Sequence, residues 1–306
     1  MESFKLDKPI CRDIIDWMKA KGYSFNTIRQ YTSTFKQLSI GEKEINNEKL
    51  RNIIKKFKHQ NQRAVLYLIN NYCFDKGIDF RLLIPKIKVK PRKIPQTLSP
   101  EEIRLMIDSA PHPFNLAIRC LYNMGAGLRI SEIIKFSWSN IRWADWLSNQ
   151  DNYGVALIKS AKGSKDRVVN IPSNLMKDLY KYAIEQNNLN ESGIPTGGMI
   201  FPMGDVEWKK ELKEFNLEQW KNEYITYAYD WFRYNILRKC CEKALNKHIK
   251  IHSLRSSRAT YLYEIEKVPI ERIQLLLGHS SIATTMIYTK VNPVSTFEML
   301  KNTKEL

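Results

Sequence analysis

Apolar side chains recur at intervals of three or four residues along most of this chain, which is the spacing of an amphipathic helix. Four such stripes fall within the first 85 residues, at 10–18, 28–35, 50–57 and 65–72. Two short β-rich runs, 155–158 and 167–171, stand apart, and a polar turn containing glycine separates them. The pattern predicts a mainly α-helical protein with a small antiparallel β-sheet.

The length of 306 residues predicts two domains, each large enough to bury a core. Residues 1–85 are predicted to form an N-terminal helical domain. Residues 86–98 alternate positive charge with apolar side chains and contain two prolines, which indicates an extended basic linker. Ser99-Pro100-Glu101-Glu102 has the pattern of a capping box with proline at the first helical position. A second domain is therefore predicted over 99–306.

The net charge of +17 and the pI near 9.5 favour a polyanionic partner, usually nucleic acid, with a membrane surface as the competing reading. The sequence contains no apolar run near the roughly 20 residues that span a bilayer. Its first residues lack the apolar stretch of a signal peptide. We expect a protein of the cytoplasm or nucleoid.

The five cysteines form no Cys-x-x-Cys pair and are expected to be buried, reduced thiols. His248 and His252 are four residues apart, a spacing that could hold zinc on one helical turn. The β-branched residues between them and the lack of a third ligand nearby weaken that reading. We expect no metal ion and no other cofactor.

Three short segments carry reactive or phosphate-binding side chains. Near the end, an apolar helix stops at Gly278-His279, and a short helix behind Ser280/Ser281 carries Tyr288. Upstream, His252 and Arg255 are three residues apart at a helix start, so both can reach one phosphate. In the third segment, Arg129 begins a helix, where backbone N–H groups favour an anion.

Glu132 lies on the same helical face as Arg129 and could hold its guanidinium in place. Taken singly, these signals are weak. An isolated arginine and glutamate usually form an ordinary surface pair, His-x-x-Arg occurs by chance, and the chain has 15 tyrosines. The combination in this order is far more specific.

Together the segments resemble the tyrosine recombinase (phage integrase) family, whose signature is an Arg, a Lys, a His-x-x-Arg, a Gly-His and a nucleophilic Tyr. The resemblance implies a helical core-binding domain followed by an α+β catalytic domain. It also implies cleavage and rejoining of DNA strands through a 3′-phosphotyrosyl bond. Its six catalytic positions match Arg129, Lys162, His252, Arg255, His279 and Tyr288.

Within this family pattern, Tyr288 is the nucleophile, His252 the base and Lys162 the acid, with Lys165 as the near competitor of Lys162. The arginines and His279 would bind the phosphate. Double-stranded DNA is the implied partner. The residues expected to contact it are Arg29, Lys88, Lys90, Arg92, Lys93 and Lys165.

The resemblance further implies a homotetramer on two DNA sites, possibly monomeric when free. The role would be integration or excision of a mobile element, or dimer resolution of the Xer kind. A type IB topoisomerase and a non-catalytic DNA-binding relative are the alternatives.

Two features depart from the family pattern. Many relatives have a histidine where this chain has Ser256. The charged segment 205–223 looks like an insertion. Just before it, residues 199–202 resemble a short strand of the family, and after it a long helix is predicted over about 226–247.

Overall fold

A computed structural model of the chain divides into two compact units, Met1–Pro91 and Arg92–Leu306. The units are described separately. The structure describes residues 3–4, 7–23, 25–39, 45–46, 60–84, 95–159, 166–204 and 222–290.

The first unit is built on three described helices, α1 (Lys8–Ala20), α2 (Phe25–Ser39) and α3 (Gln60–Asp75). Asp7 caps α1, accepting a hydrogen bond from the Ile10 amide at 3.1 Å. Strands β1 (Ser3–Phe4) and β2 (Ile45–Asn46) pair antiparallel. The helices enclose a core that includes Ile14, Met18, Phe35, Leu66 and Ile69. Three of the four predicted stripes are confirmed as helices, and the stripe at 50–57 lies outside the described residues.

The second unit opens as the sequence predicts, with α4 (Pro100–Ser109) behind a complete capping box. Ser99 Oγ accepts from the Glu102 amide at 3.2 Å, and Glu102 Oε2 accepts from the Ser99 amide at 2.9 Å. Residues just before it, assigned to the linker from sequence, pack within this unit. Leu98 is buried, and its amide donates to Ser257 Oγ at 2.8 Å.

Two buried helices and a hairpin follow. Helix α5 (Phe114–Asn123) precedes α6 (Ile130–Ile134), and the short α7 (Trp143–Leu147) comes next. Strands β3 (Gly154–Ile158) and β4 (Arg167–Ile171) pair antiparallel, with Ile158 opposite Arg167. Inward residues of both strands are buried, as alternation requires. The predicted hairpin is confirmed, and α8 (Ser173–Glu185) follows it.

Two local predictions are corrected. Residues 199–202 do not form a strand, because Met199 makes a single bridge to Ser137 and the pairing ends there. The helix predicted over 226–247 is present, but its middle is not α-helical. Helix α9 (Asn222–Phe232) continues directly as a π-helix (Arg233–Glu242), and α10 (Lys243–Leu245) follows it. A π-helix uses i→i+5 pairing, which apolar periodicity does not specify over so short a length.

The chain ends its described part with α11 (Ser253–Glu264), α12 (Ile270–Leu277), α13 (Ile282–Thr285) and a 3₁₀ turn (Met286–Lys290). Gly278 stops α12 in the left-handed conformation at φ +63°, as predicted. Ser281 occupies the N-cap of α13, but its side chain makes no capping hydrogen bond, so that detail of the prediction is wrong.

No helix in the described part of the chain is long and apolar enough to cross a membrane. All five cysteines are free thiols, and four of them are buried. Cys241 lies in the core, whereas its neighbour Cys240 is half-buried.

Candidate active site

The buried carboxylate of Glu132 organises one side of the site. Arg129 is the N-cap residue of α6, and its amide donates to Glu132 Oε2 at 2.7 Å. The Arg129 guanidinium donates from Nη1 to Glu132 Oε1 at 2.9 Å. The predicted pairing of these two residues is confirmed, and it holds a partly exposed guanidinium at a helix N-terminus.

Arg167, the first residue of β4, pairs with the same carboxylate. Its Nη1 and Nη2 donate to Glu132 Oε1 and Oε2 at 2.7 and 2.8 Å, a two-point contact typical of strong arginine–carboxylate pairs. Burial opposes ionisation of Glu132, but the hydrogen bonds and charge of Arg167 and the amide of Arg129 outweigh it. Together they lower the pKa of Glu132 to about 2.

Arg255 projects from the first turn of α11 and is buried. Its Nη1 donates to the carbonyl of Gly127 and its Nη2 to the carbonyl of Leu277. Burial, and after it the charge of Arg129, lowers the pKa of Arg255 to about 9, which leaves it protonated at neutral pH. A guanidinium has five N–H donors, so two neutral carbonyl partners fix its plane and leave donors for an anion.

Gly127 makes this approach possible. Its φ is +93°, and a Cβ there would stand 3.0 Å from Arg255 Cα and 3.1 Å from Leu121 O. Those neighbours are backbone atoms, which cannot turn aside as a side-chain end can. The glycine therefore lets the turn before α6 lie directly against α11.

His252 is the N-cap residue of α11, one turn ahead of Arg255 on the chain. Desolvation by surrounding protein, and then the charges of Arg255 and Arg129, lowers the pKa of His252. The imidazole is therefore held neutral at physiological pH. A neutral imidazole has a free nitrogen that can accept a proton.

His279 and Tyr288 close the other side. The two rings stack with centroids 6.4 Å apart and 20° between their planes. His279 Nδ1 lies 3.0 Å from Thr285 Oγ1. Burial, followed by the charges of Arg255, Arg129 and Arg167, lowers the pKa of His279 to about 4. Tyr288 is buried in a small cluster with residues such as Ala259 and Leu277.

Five of the six predicted catalytic residues thus converge from three separate segments of the chain. Lys162, the sixth, lies outside the described residues, as do Lys165, Lys88, Lys90, Arg92 and Lys93. Arg29 is exposed on α2 of the first unit. In the described part of the chain, no three His, Cys, Asp or Glu side chains are grouped to hold a metal ion. His248 instead contacts Glu242, Nδ1 to Oε1, at 2.7 Å.

Sequence reasoning missed Arg167 and Thr285. The signal for Arg167 was present, since it ends the turn that contains Lys162-Gly163 and begins a strand whose next residues alternate inward and outward. The sequence does not indicate that this arginine contacts Glu132, because the two residues are 35 positions apart in the chain.

Residues 96–294 match the phage integrase family, a span that covers every element of the site. The chain belongs to the phage integrase family. Members of this family are DNA strand-transferring enzymes. The protein accordingly carries out site-specific DNA recombination through a phosphotyrosyl intermediate.

Its relatives in this family include tyrosine recombinases of the Xer type. The XerA of Thermococcus onnurineus is 27% identical over 299 residues, 94% of this chain and 92% of that protein. The XerA of Thermococcus kodakarensis is 29% identical over 300 residues, with the same coverage of 94% and 92%.

Solved structures of phage integrase-family proteins share the fold. A lambda integrase dimer bound to a COC′ core site matches with a TM-score of 0.60 at 14% identity, covering 100% of this chain and 81% of that one. The XerH recombinase bound to difH substrate, in its pre-cleavage complex, matches with a TM-score of 0.56 at 18% identity. That match covers 96% of this chain and 83% of XerH.

Proposed function

We propose that Tyr288 is the nucleophile of this recombinase. Its phenol oxygen attacks a scissile phosphate, the bond from phosphorus to the 5′-oxygen breaks, and a 3′-phosphotyrosyl linkage and a free 5′-hydroxyl result. His252, which is neutral, accepts the phenolic proton, and Lys162 gives a proton to the departing 5′-oxygen. Covalent catalysis of this kind divides one strand exchange into two steps of similar energy.

Arg129, Arg255 and His279 stabilise the negative charge that builds on the non-bridging oxygens. The two guanidiniums are planar and can each donate twice to one phosphate. A buried, preoriented donor is worth far more than the same group in water, because it needs no reorganisation when charge develops. His279 donates from Nε2 if Thr285 holds its Nδ1 as the acceptor.

Residues outside the catalytic group bind the DNA in this proposal. Arg29 of the helical unit and Lys88, Lys90, Arg92 and Lys93 of the connecting segment contact phosphates, with Lys165 at the hairpin turn. The enzyme acts as a homotetramer on two DNA sites and is monomeric when free. It resolves chromosome dimers or moves a mobile element, in the cytoplasm at the nucleoid.

One observation supports the proposal above the others. Residues 129, 252, 255, 279 and 288 come from distant parts of the chain, yet their charges act on one another. Burial, and after it the charges of Arg255 and Arg129, lowers the pKa of both histidines, and the charge of Tyr288 is among those that act on Arg255. A cluster of positive charge around a tyrosine favours binding of a phosphate beside a phenol.

The test is covalent trapping on a nicked duplex, whose short strand is lost after cleavage so that rejoining cannot occur. Binding sites are first enriched from a randomised pool of duplexes, and the reaction is run in EDTA. Wild type should give an adduct that survives denaturation. Tyr288→Phe should bind the duplex but give none, and Tyr153→Phe, at an exposed position, serves as the matched control. An adduct from Tyr288→Phe would refute the proposed nucleophile.

A further inference from the structure

Glu132 binds two arginines from different elements of the fold, Arg129 at the start of α6 and Arg167 at the start of β4. Its Oε1 accepts from Arg129 Nη1 at 2.9 Å and from Arg167 Nη1 at 2.7 Å. Its Oε2 accepts from the Arg129 amide at 2.7 Å and from Arg167 Nη2 at 2.8 Å. Arg167 therefore makes the two-point contact, whereas the Arg129 guanidinium is held by a single N–H.

This division matters because a buried carboxylate pairs most strongly with an arginine that offers two parallel N–H groups. Were Arg167 absent, Glu132 would lack its closest positive partner. Arg129, already adjacent, could then take both oxygens with its guanidinium. A guanidinium paired in that way turns its donors towards the carboxylate and away from a phosphate.

The position of Arg167 is built into the fold. Its side chain is only 10% exposed, and its Nε, buried as well, has no hydrogen-bond partner among the described residues. Space for it exists because residue 278 is glycine: a Cβ there would stand 3.2 Å from Arg167 Cδ. A charged side chain that is enclosed this closely and left partly unsatisfied is costly for stability alone, which points to a role in the reaction.

Arg167 also ends the turn of the hairpin. It is the first residue of β4, and residues 160–165, among them Lys162, lie between the described ends of the two strands. The contact with Glu132 thus ties the start of β4 to α6, the helix that Arg129 caps.

We propose that Arg167 is a positioning residue for strand cleavage: by occupying Glu132 at two points, it keeps Arg129 free to bind the scissile phosphate and ties the start of β4 to α6. This rests on the proposed function, since it requires that Arg129 bind that phosphate. It acts through Glu132 and does not contact the DNA.

The experiment is a double-mutant cycle on the full-length protein, with the nicked duplex described above at saturating protein. Single-turnover adduct formation and duplex affinity are measured for wild type, Arg167→Gln, Arg167→Lys, Glu132→Gln and the Glu132→Gln/Arg167→Gln double variant. Arg119→Gln removes a comparable arginine from the Arg119–Asp178 ion pair of 2.6 Å and is the control. Thermal stability of each variant is recorded alongside.

Arg167→Gln should slow adduct formation by about 10- to 100-fold, the effect expected of a misplaced catalytic group, while affinity changes little. Arg167→Lys should not restore the rate, because an ammonium cannot make the two-point contact. In the Glu132→Gln background, adding Arg167→Gln should have almost no further effect, because the carboxylate through which Arg167 acts is gone. The control should keep its rate.

An equal loss from Arg167→Gln in both backgrounds would overturn the proposal, as would full activity of Arg167→Lys. If Arg167→Gln alone does not fold, the comparison of Glu132→Gln with the double variant decides, since a further drop in the double contradicts action through Glu132. If Arg167→Gln forms the adduct as fast as wild type does, this inference is refuted and the nucleophile assignment stays intact. Absence of any Tyr288-dependent adduct would refute the proposed function itself.

Discussion

The imidazole of His279 stacks on the phenol ring of Tyr288, with centroids 6.4 Å apart. These residues come from opposite ends of a short segment: His279 follows the C-cap glycine of α12, and Tyr288 lies in the 3₁₀ turn after α13. The phenol thus lies beside a ring whose Nδ1 is 3.0 Å from Thr285 Oγ1. A phosphate bound by His279 would therefore stand close to the proposed nucleophile.

The pKa of His279 leads to a prediction about stability. Its folded pKa is about 4, whereas the ordinary value is 6.5. Between these two pH values the unfolded chain binds a proton at this residue and the folded chain does not, so stability falls as the pH is lowered. His279→Gln removes this contribution. Its melting temperature should drop less than that of wild type between pH 7 and pH 4.5, in thermal scans at both pH values.

His248→Gln controls for the loss of one histidine. The His248 side chain is 74% exposed, and it contacts the carboxylate of Glu242. Equal acid-induced losses in wild type and His279→Gln would contradict the lowered pKa.

Gly127 leads to a second prediction, because a larger residue there would meet both backbone strain and a steric clash. Alanine at this position must adopt φ +93° and bring its Cβ to 3.0 Å from Arg255 Cα. Gly193→Ala is the matched control, because Gly193 has φ +69° but its nearest neighbour would be Tyr180 Oη at 3.6 Å. Gly127→Ala should destabilise by about 1–3 kcal/mol more than the control, the range for overpacking, as measured by chemical denaturation.

The same substitution should also impair adduct formation, because the Gly127 carbonyl accepts from Arg255 Nη1. Similar stabilities for the two alanine variants would show that the backbones do not approach as closely as described.

The assignment of the general acid can be tested with the leaving group. A duplex whose scissile 5′-bridging oxygen is replaced by sulfur releases a thiolate, which needs no proton to depart. Lys162→Ala should lose about 100-fold or more in adduct formation on the oxygen duplex, as expected for removal of a general acid, and recover on the sulfur duplex. Lys165→Ala is the natural comparison and should behave similarly on both. If the sulfur duplex restored adduct formation by Lys165→Ala and not by Lys162→Ala, Lys165 would be the general acid.

The connecting segment leads to a prediction about salt. Neutralising Lys88, Lys90, Arg92 and Lys93 should weaken duplex binding and flatten its salt dependence, each lost phosphate contact removing about 0.9 from the log–log slope. Affinity is measured across a salt series. Neutralising the exposed pair Lys177 and Lys181 on α8 tests whether net charge alone has this effect. An unchanged slope in the first variant would show that the segment does not lie on phosphates.

Local chemistry explains why much of the fold could be predicted. The Ser99 capping box, the glycine stop at 278 and the hairpin at 154–171 each depend on a few neighbouring residues, and each is found where the sequence indicates it. The Arg129–Glu132 pair is likewise local, since both residues belong to one helical turn.

Long-range geometry explains what could not be predicted. Arg167 reaches Glu132 across 35 residues, and Arg255 reaches the Gly127 carbonyl across 128, so neither contact has a sequence period. The π-helical stretch Arg233–Glu242 is a matter of backbone register that apolar spacing does not record. A hydrogen bond at the end of the predicted linker is long-range in the same way: Gln96 Nε2 donates to the carbonyl of His248 at 2.8 Å, 152 residues away in the chain.

Peptide mapping of the trapped adduct identifies the tyrosine that carries the DNA. The trapped wild-type adduct is digested with nuclease and trypsin, and the nucleotide-bearing peptide is sequenced by mass spectrometry. Cleavage after Arg272 and Lys290 releases residues 273–290, a peptide in which Tyr288 is the only tyrosine. The account predicts a nucleotide on Tyr288 of that peptide. A nucleotide on any other residue would contradict it.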